Sequence, residues 1–169
     1  VAGLFSVVGG FFIIHGFFSD APFVPSSRKK RRAMLDLADI RTGDTVIDAG
    51  SGDGSLLIAS AKRGARAIGI ESNPILVFYS RIRALASAER KNIAVIRGNL
   101  FFHSFREADV LFLYLFPKTI EKLKEKLEKE LKSGVRIISN TFPIPDWIPE
   151  KDHDGVFLYI KREKSFTMG

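Results

Sequence analysis

"VIDAGSGDG" (Val46–Gly54) is an apolar run that reaches an aspartate and then passes straight into three glycines at alternating positions. Glycine inside a strand or helix costs stability, because it has the most backbone freedom to lose. Gly50, Gly52 and Gly54 together predict a chain that leaves a strand, turns sharply and lets something approach closely. The flanking segments follow an α/β rhythm. Thr45–Ala49 reads as a strand and 55–63 as a helix; 67–70 reads as a second strand ending at Glu71. Asn73 caps a helix with Pro74 at its first position, running to about Glu89. Strands follow at 93–97 and 109–115. An amphipathic helix then carries Ile120, Leu123, Leu127 and Leu131 on one side, with Gly134 placed as its stop. The final strands are 135–139 and 156–160, the last reached only through loop 140–155.

Strands that are nearly continuous apolar runs, with helices between them, imply a Rossmann-like, mostly parallel sheet covered on both faces. The last strand follows no helix and is expected to run antiparallel. A chain of 169 residues suffices for one domain with a real core. The absence of cysteine excludes a disulfide scaffold and a cysteine-based zinc site or nucleophile. His15, His103 and His153 are scattered without ligand spacing, so no metal site is expected.

Val1–Ser19 carries no formal charge and is about as long as a helix that crosses the hydrocarbon layer. "SSRKKRR" (Ser26–Arg32) follows soon after. An apolar segment trailed by clustered cations predicts a transmembrane anchor over 1–19, with a catalytic domain over 20–169 held on the cytoplasmic side. Ser26 or Ser27 is placed to cap a helix bearing Met34, Leu37 and Ala38. Cations at a helix N-terminus oppose its dipole, so an anionic membrane or an acidic protein is expected to favour them. The net charge of +7 also permits nucleic acid.

The glycine stretch reads D-x-G-x-G-x-G, whereas a dinucleotide fingerprint reads G-x-G-x-x-G. Asp48 before the glycines and Asp53 within them would repel a pyrophosphate. A ligand carrying an ammonium and a sulfonium tolerates them better. Glu71, at the end of the second strand, can accept both hydroxyls of a ribose. Asn99, just past the third, can hydrogen-bond an adenine edge with Leu100 or Phe101 against its face. This set resembles the S-adenosylmethionine site of the class I, seven-strand methyltransferases. The resemblance implies that fold, S-adenosylmethionine as cofactor, and a cofactor site built from Asp48, Gly50, Ser51, Gly52, Gly54, Glu71, Asn99 and Leu100.

"APFVPSS" (Ala21–Ser27) and "FPIPDWIP" (Phe142–Pro149) look like a small group of protein lysine methyltransferases. That group includes an archaeal broad-specificity enzyme and mitochondrial enzymes acting on the adenine nucleotide translocase and on the c-ring protein of ATP synthase. The likeness runs from about Ala21 to Arg162. It implies methyl transfer to a lysine amine in a protein, membrane proteins included, and adds Phe23 and Pro25 to the cofactor set. The group often has Tyr where Phe23 stands, and the loop before the last strand is short here. The [DN]-P-P-[FYW] box used on planar nitrogens is absent; its position reads "YLFPK" (Tyr114–Lys118).

Lysine chemistry needs a neutral amine. With a pKa of about 10.4, only about one lysine in a few thousand is neutral at pH 7. A dry channel lowers that pKa, and alignment with the methyl donor supplies much of the rest. Tyr114, Phe142 and Trp147 are the candidate channel walls; no general base is identifiable. Two other readings stand beside this one: a methyltransferase for RNA or a small molecule, and a non-catalytic module that binds a nucleotide such as NAD. No RNA-binding module accompanies the domain, which makes nucleic acid the less expected partner.

Overall fold

The computed structural model describes residues 27–163. A seven-stranded sheet forms the centre: β1 (Thr45–Ala49), β2 (Arg66–Glu71), β3 (Ile93–Arg97), β4 (Val110–Leu113), β5 (Arg136–Asn140), β6 (Lys151–His153) and β7 (Val156–Ile160). Their spatial order is β3-β2-β1-β4-β5-β7-β6. The first five run parallel, and β7 enters antiparallel against β5. The expected sheet and its reversed last strand are both present. The direction changes at β1, whose neighbours are β2 and β4, and ligands of open α/β sheets bind at the carboxyl ends around such a point.

Helices cover both faces. α1 (Arg28–Ala38) and α2 (Ser55–Ala61) lie on one side, α3 (Pro74–Leu85) packs on β2 and β3, and α4 (Pro117–Glu130) covers the other side. Alternation along the strands sorts the core. Val46, Val110, Phe112 and Ile138 meet Met34, Leu35 and Leu56 on the α1–α2 side. Ile47, Leu111, Leu113 and Ile137 meet Ile120, Leu123 and Leu127 of α4. Arg136 on β5 donates to the carbonyls of Ala38 and Asp39 and pairs with Asp44 at 2.5 Å. This cation at the C-terminus of α1 complements the helix dipole.

The basic run finds partners inside the fold. Lys29 pairs with Asp154 at 2.6 Å, and Lys30 donates to the carbonyls of Asp154 and Gly155 in the β6–β7 turn. Arg31 donates to Ser55 Oγ at 3.1 Å, and Arg32 lies 3.6 Å from Asp36. The run therefore ties α1 to the hairpin and to the start of α2. Ser27 is the cap: its Oγ accepts from Lys30 N at 3.2 Å. Ser27→Ala is expected to lower stability by about 1 kcal/mol, seen as a lower urea midpoint with an unchanged slope.

Several boundaries differ from expectation. α3 stops at Leu85 rather than near Glu89, where Ser87 Oγ accepts from Glu89 N at 3.2 Å and offers the backbone an alternative to the helix. α4 stops at Glu130, with Leu131 already extended, and Gly134 (φ 88°) serves the turn into β5 instead of the helix end. The expected loop 140–155 contains β6. Its partner turn is Asp154–Gly155, both with positive φ, a two-residue hairpin signal.

The expected transmembrane helix and membrane-anchored localisation are corrected. Among the described residues no helix is long and apolar enough to cross a membrane. Segment 1–19, on which that expectation rested, lies outside the described residues.

Candidate active site

β1 delivers Asp48 to the carboxyl edge, and the glycine loop follows at once. Gly50 N donates to Ile70 O at 2.9 Å and Ser51 N to the same oxygen at 3.2 Å, which stitches the loop onto β2. Gly50, Gly52 and Gly54 have φ of 87°, 52° and 71°, conformations that favour glycine. Space is also short. A Cβ on Gly54 would stand 3.0 Å from Ser80 Cβ of α3, and one on Gly50 would stand 3.2 Å from Leu115 Cδ2.

Three carboxylates converge here in different states. Asp48 is 5% exposed, and its pKa is pushed up to about 7, first by burial and then by the charges of Glu71 and Asp53. Glu71 Oε2 accepts from Gly52 N at 3.0 Å and Oε1 from Asn73 N at 2.8 Å. Each oxygen keeps a further acceptor direction. Asp53 differs from expectation. Its Oδ1 accepts from Ser55 N at 3.0 Å, and its Oδ2 pairs at 2.5 Å with Arg83, which also donates to its carbonyl. Its charge is thus balanced by α3. Among the described residues no ion pair reaches Asp48 or Glu71. Two uncompensated buried carboxylates under a loop of bare Cα atoms fit a ligand that carries positive charge.

The remaining sequence candidates divide. Ser51 Oγ is buried without a hydrogen-bond partner among the described residues and lies against Gly69 of β2. Its side chain is turned into the sheet. Asn99 is exposed, and its Oδ1 accepts from Phe101 N at 3.0 Å. Leu100 and Phe101 pack against the core beside it. Phe23 and Pro25 lie outside the described residues. Ala49 pairs with Leu113, so Tyr114 follows one step on, level with Gly50. Phe142 meets Phe116, with ring centroids 6.3 Å apart. Trp147 departs from this group, because its ring partner is Tyr159, edge-on at 6.1 Å. It lines a separate groove of about 560 Å³ with Glu128, Pro149 and Lys161. Sequence reading missed Arg83 and Phe116. Phe116 stood within "YLFPK", where its place between Leu115 and Pro117 was the available signal.

This geometry agrees with what the chain is similar to. Residues 48–151 match the family described as the ANTKMT methyltransferase domain. A protein-lysine N-methyltransferase of Saccharolobus islandicus is 38% identical over 154 residues, covering 82% of this chain and 92% of the relative.

The chain belongs to this methyltransferase family.

It is an enzyme, and S-adenosylmethionine is its cofactor. A lysine N-methyltransferase of Xenopus laevis, named for the c-ring protein of ATP synthase, is 36% identical over 76% of this chain. The methyltransferase matches 57% of that relative's length. Among solved structures, an RNA methyltransferase of Salinibacter ruber in complex with S-adenosylhomocysteine superimposes with a TM-score of 0.80. It is 34% identical, with 83% of this chain and 95% of that one covered. A methyltransferase of Thiobacillus denitrificans, 21% identical with a TM-score of 0.61, shares the fold.

Proposed function

We propose that the enzyme methylates the side-chain amine of lysine in a protein. The observation that carries this reading is the 38% identity to a protein-lysine N-methyltransferase along nearly that relative's whole length. The absence of a planar-nitrogen box at Tyr114–Lys118 supports it. Membrane proteins are the first acceptors to test, since other relatives are named for the c-ring protein of ATP synthase and for the adenine nucleotide translocase.

In this reading Asp48, Gly50, Ser51, Gly52, Gly54, Glu71, Asn99 and Leu100 hold the cofactor, with Phe23 and Pro25 before α1. S-adenosylmethionine supplies an electrophilic methyl group on a sulfonium. Asp48 and Glu71 supply negative charge to a cationic ligand, and Glu71 accepts from the ribose hydroxyls. Asn99 meets the adenine edge. Tyr114, Phe116 and Phe142 exclude water from the entering amine, which lowers its pKa. Their ring faces favour an alkylammonium before it loses its proton.

Glu71→Ala is expected to weaken cofactor binding by about 1–3 kcal/mol through loss of charge-assisted hydrogen bonds. It also strands the amides of Gly52 and Asn73, so Glu71→Gln, which retains an acceptor, separates binding from stability. Calorimetry with S-adenosylhomocysteine reads both variants. An unchanged affinity in both displaces Glu71 from the ribose.

The Salinibacter structure favours RNA as the second reading. Incubating the enzyme with methyl-labelled cofactor, membrane proteins and total RNA decides between them. Label on lysine supports the proposal, and label confined to RNA overturns it.

A further inference from the structure

Four non-glycine residues among those described have positive φ: Asp39, Thr141, Asp146 and Asp154. Aspartate visits this region because its short polar side chain bonds locally; for a β-branched residue it is a genuine outlier. Thr141, at φ 72°, is the β-branched one. It is exposed, so core packing does not impose the residue type. Glycine or asparagine would make the same turn with less strain. Such outliers persist where the surroundings over-determine them, and they gather at functional sites.

The surroundings here are specific. Thr141 N donates to Gly155 O at 2.8 Å, fastening the corner to the β6–β7 turn. Thr141 Oγ1 donates to Asn140 Oδ1 at 3.2 Å, and Asn140 is 1% exposed. One residue on, Phe142 O accepts from Ser139 Oγ at 2.5 Å. The corner also has a defined address. Ser139 pairs with Leu113, so Asn140 is level with Tyr114 at the carboxyl edge of the sheet. The reversal at Thr141 then carries Phe142 to Phe116.

We infer that Thr141 is a positioning residue for the methyl acceptor, its hydroxyl locking the buried Asn140 amide and its strained backbone fixing Phe142 opposite Phe116. The inference rests on the reading of these aromatic rings as the acceptor wall. A single corner conformation holds the wall at one width; a glycine there samples several. Stability is given up for an aligned acceptor.

Thr141→Gly, Thr141→Ser and Thr141→Val, made in the full chain, test this. Methylation is measured on a synthetic lysine peptide selected from a library by the wild-type enzyme. Thr141→Gly is expected to raise Tm, because the strain is relieved, and to lower kcat about tenfold through lost alignment. Its affinity for S-adenosylhomocysteine should stay unchanged. Backbone amides of 139–142 should exchange with deuterium faster in this variant, while those of β1 do not. Thr141→Ser keeps the hydroxyl and should restore kcat; Thr141→Val lacks it and should not. Wild-type kcat in Thr141→Gly or Thr141→Val, or a Thr141→Ser enzyme as slow as Thr141→Gly, overturns the inference. Should the wild type label no peptide, the lysine reading fails, and the corner is judged on exchange alone: wild-type exchange in Thr141→Gly refutes it.

Discussion

Asp48→Asn is expected to make the cofactor-free enzyme more stable at pH 8 and to abolish a pH dependence that the wild type shows. Asp48 titrates at about 7 in the fold against an ordinary value of 3.8. At about 1.4 kcal/mol per tenfold change in an equilibrium, ionising it costs the fold on the order of 4 kcal/mol. The sign follows from linkage. Between about pH 4 and 7 the folded state holds a proton that the unfolded state has released, so stability falls as pH rises through this window and then levels off. Subtracting the variant's stability from the wild type's at each pH cancels the other carboxylates. A flat difference would remove Asp48 from the account. Ligand binding should show the opposite trend. From about pH 5.5 to 7.5 wild-type affinity for S-adenosylmethionine should rise, as Asp48 ionises while a free α-amino group stays mostly protonated. In Asp48→Asn the affinity should be lower and independent of pH over this range. A buried carboxyl that destabilises the empty protein and attracts a cationic ligand is a stability cost retained for function.

What the sequence disclosed and what it withheld divide along the range of the interactions. Thr45–Ala49, Ile93–Arg97 and Val156–Ile160 are strands within the expected bounds, because short apolar runs between turn residues are local signals. The Asn73–Pro74 helix start is equally local: Asn73 Oδ1 accepts from Ile75 N at 2.9 Å. β6 escaped notice because its residues, Lys151–His153, are polar and exposed, although the Asp154–Gly155 turn was readable. The pairing of Asp53 with Arg83 spans 30 residues, and no local pattern announces it. It changes the chemistry of the loop, since one of three acids there is balanced by α3 and the ligand has to answer two. Trp147 shows the same limit. Its place in "FPIPDWIP" suggested the acceptor channel, yet the side chain packs on Tyr159 from a different strand. Aromatic residues that are neighbours in a motif diverge when the chain between them turns, as it does at Asp146, which has a φ of 61°.

Gly69→Val is expected to combine a large loss of stability with a loss of cofactor affinity, although Gly69 lies in β2 and outside the glycine loop. Gly69 pairs with Asp48 across the sheet. A Cβ there would stand 2.5 Å from Leu57 Cδ1, 2.5 Å from Ser51 Oγ and 2.7 Å from Ser51 Cβ. Neither neighbour has room to retreat. Leu57 is fully buried, and Ser51 is held at both ends, its N donating to Ile70 O at 3.2 Å and its carbonyl accepting from Gly54 N at 2.9 Å. Overpacking at such a site costs about 1–3 kcal/mol and occasionally more, and the bulk of valine points to about 3 kcal/mol or above. The loop is the weaker wall, so it moves. A shift of about 1 Å in a positioned group is enough to cost on the order of a hundredfold in function. Gly43→Ala is the control, since Gly43 also has positive φ but nothing stands within 4 Å of the added atom; it should lose stability and keep its affinity for S-adenosylhomocysteine. The mechanism has a sharper signature in the pair Gly69→Ala and Ser51→Gly. Removing the Ser51 side chain opens space for the methyl group, so the double variant should recover affinity that Gly69→Ala alone has lost, a coupling that two independent sites would not show. Wild-type affinity in Gly69→Val would mean that the loop is held in place by something other than its seat on β2.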